Sequence, residues 1–87
     1  MHAVVVRVKL GDVEAARKEL NEQVVPGVSQ APGFVTGYWA RKDDSGVGMI
    51  VFESEDAAKA IVERLGSLTP DSLMFEDIDV YEVEAHA

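Results

Sequence analysis

Cysteine is absent from this chain, and histidine occurs only twice, at His2 and His86. Thiol catalysis, iron–sulfur clusters, cysteine-based zinc sites and disulfide staples are therefore excluded. Basic residues are scarce: eight Lys and Arg stand against sixteen Asp and Glu, a net charge of −8. Most of them fall in isolated pairs (Arg7/Lys9, Arg17/Lys18, Arg41/Lys42) and build no basic stripe. That argues against nucleic acid and against anionic membranes as partners, because phosphate contacts need clustered cations. No run approaches the roughly 20 apolar residues of a membrane span. The start, Met1 to Lys9, has a short apolar run interrupted by charge and reads as a strand rather than a signal. The expected location is cytoplasmic. Gly46 and Gly48 belong to a hairpin and not to a strand–helix junction, so no phosphate-binding loop is present.

What is present is 47% apolar residues in a chain of 87, enough for one domain spanning 1–87. A chain this short buries only about 60–65% of its unfolded surface. Association with a second copy is the expected supplement to so modest a core.

His2 to Lys9 is a valine-rich strand, with Val4, Val6 and Val8 on one side and Val5, Arg7 and Lys9 on the other. Gly11-Asp12 stops it, and Asp12 is a good N-cap. Val13, Ala16, Leu20 and Val24 then recur at three or four residues, the period of an amphipathic helix. Pro26 breaks that period, yet Val24, Val28 and Ala31 prolong the apolar stripe, so a kink or fresh turn is expected rather than a stop. After the turn Ala31-Pro32-Gly33, Phe34 to Lys42 alternates Phe34, Thr36, Tyr38 and Ala40 against Val35, Gly37, Trp39 and Arg41. Asp43 to Gly46 reads as a hairpin loop with Gly46 able to take the left-handed conformation, and Val47 to Glu53 returns antiparallel. Ser54 caps a second helix carrying Ala58, Ile61, Val62 and Leu65, with Gly66 as its C′ residue. Thr69-Pro70-Asp71 is a loop, and a last strand lies between Leu73 and Ala85.

The order strand, helix, strand, strand, helix, strand is the split βαβ arrangement. It predicts the α+β class: a ferredoxin-like β-α-β-β-α-β sandwich, its four-stranded antiparallel sheet covered by two helices on one face. The other face is left open and apolar, and a homodimer through that face is the expected remedy.

The Pro32-Gly33-Phe34 turn into the aromatic Tyr38-Trp39 strand, the short acidic hairpin, and Val51-Phe52-Glu53-Ser54-Glu55-Asp56-Ala57-Ala58 entering the second helix resemble the dimeric α+β barrel superfamily. The likeness is to its antibiotic-biosynthesis monooxygenase-like proteins in particular. The resemblance runs from about His2 to Leu65 and implies the fold and the dimer. It implies no one activity, since that superfamily includes cofactor-independent oxygenases, haem-degrading enzymes, isomerases and peroxidases. The haem-degrading members carry a histidine in the second helix and an asparagine on or beside the first strand. Here Glu55 to Leu65 holds no histidine, and the single asparagine, Asn21, lies on helix one. No haem, and no other cofactor, is expected.

Tyr38, Trp39 and Arg41 form the most chemical cluster. Tyr38 and Trp39 point to opposite faces of one strand, so only one of them lines the side away from the helices. If Trp39 and Arg41 share that side, they could grip a planar phenolic or quinone-like anion by stacking and charge. The competing role is a dimer anchor, with Arg41 paired to an acid. Tyr81 could donate a hydrogen bond to a substrate oxygen, or merely satisfy its own buried hydroxyl. Arg7 could line a cavity or end a solvated strand. His2 and His86 stand at the ends of the first and last strands without a third ligand. The acidic series from Glu76 to Glu84 lacks the spacing of a calcium loop, and no metal site is expected. Two functions follow as alternatives. One is a cofactor-independent oxygenase on an aromatic or polyketide-like small molecule held between helices and sheet, with Tyr38, Trp39, Arg41 and Tyr81 as its tools. The other is a non-catalytic ligand-binding or structural, stress-related dimer.

Overall fold

The computed structural model describes residues 1–68 and 73–87. Four strands, β1 (His2–Leu10), β2 (Phe34–Lys42), β3 (Ser45–Phe52) and β4 (Leu73–Glu82), form one antiparallel sheet in the order β2-β3-β1-β4. The first helical arm is α1 (Val13–Glu19), a π-helical turn (Leu20–Val24) and α2 (Val25–Ser29); the second is α3 (Glu55–Leu68). This is the ferredoxin-like α+β fold that the element order predicts. No helix among the described residues is long and apolar enough to cross a membrane.

Both arms lie on one face. Val24 and Val28 from the first, with Ala58, Ile61 and Leu65 from α3, pack onto Val4 and Val6 of β1 and Ile50 and Phe52 of β3. Phe52 is fully buried and meets Phe34 edge to face, ring centroids 6.1 Å apart. Burying side chains of this size contributes about 1.5–3 kcal/mol each, so these residues hold the arms to the sheet.

Local chemistry sets the element ends. The Asp12 carboxylate accepts from the N–H groups of Glu14 and Ala15, both at 3.1 Å, and starts α1. Ser54 Oγ accepts from the Ala57 N–H at 3.1 Å and starts α3. Gly33 takes φ +81°, and a Cβ there would lie 2.9 Å from Ala57 Cβ, so the turn into β2 needs glycine twice over.

The structure departs from the sequence reading at three places. The β2–β3 turn is only Asp43-Asp44, because Lys42 pairs with Ser45, and the left-handed residue is Asp43 at φ 56° rather than Gly46. Aspartate tolerates that region, and this turn is pinned from outside. Arg41 Nη1 donates to the Asp43 carbonyl at 2.7 Å, Leu10 N–H to the Asp44 carbonyl at 2.8 Å, and Lys9 pairs with the Asp44 carboxylate at 3.2 Å. Second, β2 does not alternate unbroken. The register shifts between Phe34 and Thr36, so Val35 is an extra residue and Phe34 shares a face with Trp39 instead of Tyr38. Third, Gly66 is not the C′ residue, because α3 runs on to Leu68; a glycine inside a helix costs only about 1 kcal/mol relative to alanine. The last strand bulges as well, its register against β1 shifting between Arg7 and Val8. The loop expected at Thr69-Pro70-Asp71 lies outside the described residues.

Candidate functional site

Between the first helical arm and the sheet lies a cavity of about 400 Å³. Its wall on the helical side is Ala16, Leu20 and Val24, and Leu73 and Phe75 of β4 also line it. The size suits a small organic ligand.

The floor is unusual because it is made of glycine. Register places Gly46 beside Val8 and Arg41, and Gly48 beside Val6 and Trp39. With no side chains there, the indole of Trp39 lies down on the sheet. A Cβ on Gly48 would sit 3.1 Å from Trp39 Cδ1, and one on Gly37 would sit 2.9 Å from Cη2. The ring thus spans both glycines, half-buried, and packs against the core. A ligand entering above it meets an aromatic face.

Strand pleating divides the five site residues expected from the sequence. Trp39 and Arg41 both line this cavity, so the side they share is the one toward the helices. Tyr38 lies opposite Met49 on the other face and is 73% exposed. Tyr81, opposite Ala3, lies on that same outer face and is 53% exposed. Arg7 pairs with Val47 and Asp77 and also faces outward. There it borders, with Lys42, Ser45 and Glu76, a second hollow of about 460 Å³ that Arg41, at the end of β2, also lines. The two tyrosines therefore stand across the sheet from Trp39. Arg17 and Asn21 also line the cavity, from the helical arm, and were not singled out by the sequence. A helix-period count marks both as polar-face residues, and both remain exposed; packing of the arm over the sheet brings them to the rim of the cavity.

Among the described residues no Asp, Glu or His lines the cavity, and no cluster of three His, Asp or Glu is disposed to hold a metal ion. His2 sits at the opposite end of β1, with Nε2 3.6 Å from a Glu55 oxygen and Nδ1 buried without a partner. The lysine at 59 donates to Glu55 at 3.1 Å. That hydrogen bond and the lysine's charge hold the Glu55 carboxyl below the usual carboxylate range.

Fold and cavity together define a ferredoxin-like α+β protein with a ligand-sized space between helix and sheet. No protein-family model and no curated protein matches the chain. Among solved structures, the crystal structure of a protein from Deinococcus radiodurans, provisionally described as an antibiotic biosynthesis monooxygenase, matches all of this chain and 96% of its own at a TM-score of 0.65. The identity is 14%, and what the two share at that level is the fold.

Proposed function

We propose that this protein is a homodimer that binds a flat, largely apolar small molecule on Trp39, in the cavity between the first helical arm and the sheet. The observation that carries the reading is the indole laid across Gly37 and Gly48 as the floor of that cavity. The dimer is supported by the uncovered face of the sheet, where Tyr38, Val47, Met49, Met74 and Tyr81 are exposed together. A face of this kind is normally buried by a partner.

The activity that suits such a site is cofactor-independent oxygenation, the description given to the structural neighbour being a monooxygenase. In that chemistry the substrate's own electron-rich anion reduces O₂. At an activated aromatic methylene, two hydrogens leave, one oxygen atom becomes the new carbonyl and the other departs as water. The protein contributes desolvation and orientation. One observation favours the second reading, a binder without turnover: no carboxylate or imidazole among the described lining residues is placed to take the substrate's proton.

The test uses dithranol, a phenolic anthrone that carries such a methylene. The single tryptophan makes its one indole N–H signal a local reporter in NMR, and oxygen uptake above the buffer rate reports turnover. A shifted indole signal with enhanced uptake supports the oxygenase. A shifted signal with uptake at the buffer rate leaves a binding protein. An unshifted signal with no enhancement sinks the site.

A further inference from the structure

We infer that the ligand of this cavity is an organic anion, and that Arg17 and Arg41 clamp its negative group from opposite walls; the inference rests on the binding site proposed above. In a chain with twice as many acids as bases, the only ionisable side chains among the described lining residues are these two guanidinium groups. Arg17 comes from α1 and Arg41 from β2, so the mouth carries a cation on the helical side and another on the sheet side. Both side chains are exposed and stand at the rim rather than in the core.

Neither arginine is committed to a carboxylate among the described residues, whereas Lys9 and Lys59 are paired with Asp44 and Glu55. Arg41 is oriented all the same. Its Nη1 donates to the Asp43 carbonyl at 2.7 Å, which ties one arm of the fork to the hairpin and leaves the remaining donors free. Asn21, one helical turn after Arg17, uses its amide to donate to the Arg17 carbonyl at 2.9 Å. That hydrogen bond fixes the backbone from which the Arg17 side chain leaves.

The charge of this set is of one sign, and the Asn21 amide oxygen is the one side-chain acceptor among the described lining residues. Guanidinium groups only donate and remain charged at any physiological pH, and the Trp39 N–H only donates. A ligand seated here must accept hydrogen bonds at its polar end and present an apolar plane to the indole. An aromatic carboxylate or a stabilised enolate meets both demands; a neutral hydrocarbon leaves two cations unanswered, and an organic cation is repelled. Charge-assisted, fork-to-carboxylate bonds are among the stronger single contacts in proteins.

The experiment compares two probes of one shape, 2-naphthoate and its neutral carboxamide, 2-naphthamide, by calorimetry and by the Trp39 indole signal. The expected result is naphthoate binding at least about tenfold tighter, with the two probes brought to near-equal affinity in Arg17→Gln and in Arg41→Gln. Circular dichroism establishes that both variants are folded. Equal affinities for the two probes would overturn the clamp and leave the binding site standing. A naphthoate advantage that survives either substitution would overturn the assignment to this pair. Failure of both probes to move the indole signal would overturn the site and the clamp together.

Discussion

The indole of Trp39 rests on the sheet only because positions 37 and 48 carry no side chain beneath it. An added Cβ at Gly48 would lie 3.1 Å from Cδ1 and 3.3 Å from Nε1 of that ring, so any larger residue must lift it. Lifting moves the ring into the cavity and away from the core residues it packs against. We therefore expect Gly48→Val to lower stability in urea unfolding by about 1–3 kcal/mol, the usual effect of overpacking, and to abolish naphthoate binding. Wild-type stability and binding in that variant would show that the ring does not depend on a glycine floor. Neighbouring Arg41 answers to different forces, since its backbone is held by the ladder and its guanidinium by the hairpin carbonyl.

In the first helical arm the π-helical turn reconciles two demands. Pro26 has no N–H and its ring crowds the carbonyl four residues back, yet Val24 and Val28 must both reach the core. A wider turn, closed by Val25 N–H on the Leu20 carbonyl five residues back, makes room for the ring and keeps both valines facing inward. Asn21, within that turn, returns a hydrogen bond to the Arg17 carbonyl. Asn21→Ala should then cost about 1 kcal/mol, read as a lower denaturant midpoint with unchanged slope; no change would mean the wide turn stands without it. At the start of α3 the prediction is one of pH. The Glu55 pKa is lowered from 4.5, first by the hydrogen bond from Lys59, then by that lysine's charge, with a smaller part from His2. A lowered folded-state pKa means that the contribution is present above the unfolded value and is lost as pH falls through the folded one. The groups are solvated, so the effect is small. Lys59→Met should flatten stability against pH below about 4.5, and an unchanged acid limb would refute the pairing.

For the whole molecule, the sheet is asymmetric. Its helical face is covered by Val24, Val28, Ile61 and Leu65 apart from the cavity, whereas Met49 near the middle of the other face is 49% exposed. If a second copy covers that face, light scattering over a dilution series gives twice the chain mass, and the apparent stability rises with concentration. Met49→Asp should then give a single-chain mass, because an unpaired carboxylate in an apolar interface is strongly disfavoured. A wild-type protein that stays at single-chain mass throughout would remove the dimer while leaving the cavity, which lies on the opposite face, intact.

The sequence by itself determined the kinds and order of the elements. Valine alternation, the Asp12 and Ser54 caps, the apolar period through Pro26 and the Pro32-Gly33 turn are short-range signals, and each acts within a few residues of where it is written. Trp39 and Arg41 as partners were legible for the same reason, since residues two apart on a strand share a face. Tertiary structure alone decided which face that was. The bulge at Val35 reverses the alternation between Phe34 and Trp39, and a bulge is fixed by pairing with β3, not by the residues of β2. Arg17 and Asn21 at the cavity followed from where the helical arm crosses the sheet, and Tyr38 and Tyr81 were placed beyond it by the same pleat. Which side of the sheet the helices cover is a property of the whole chain's burial, and no local spacing encodes it.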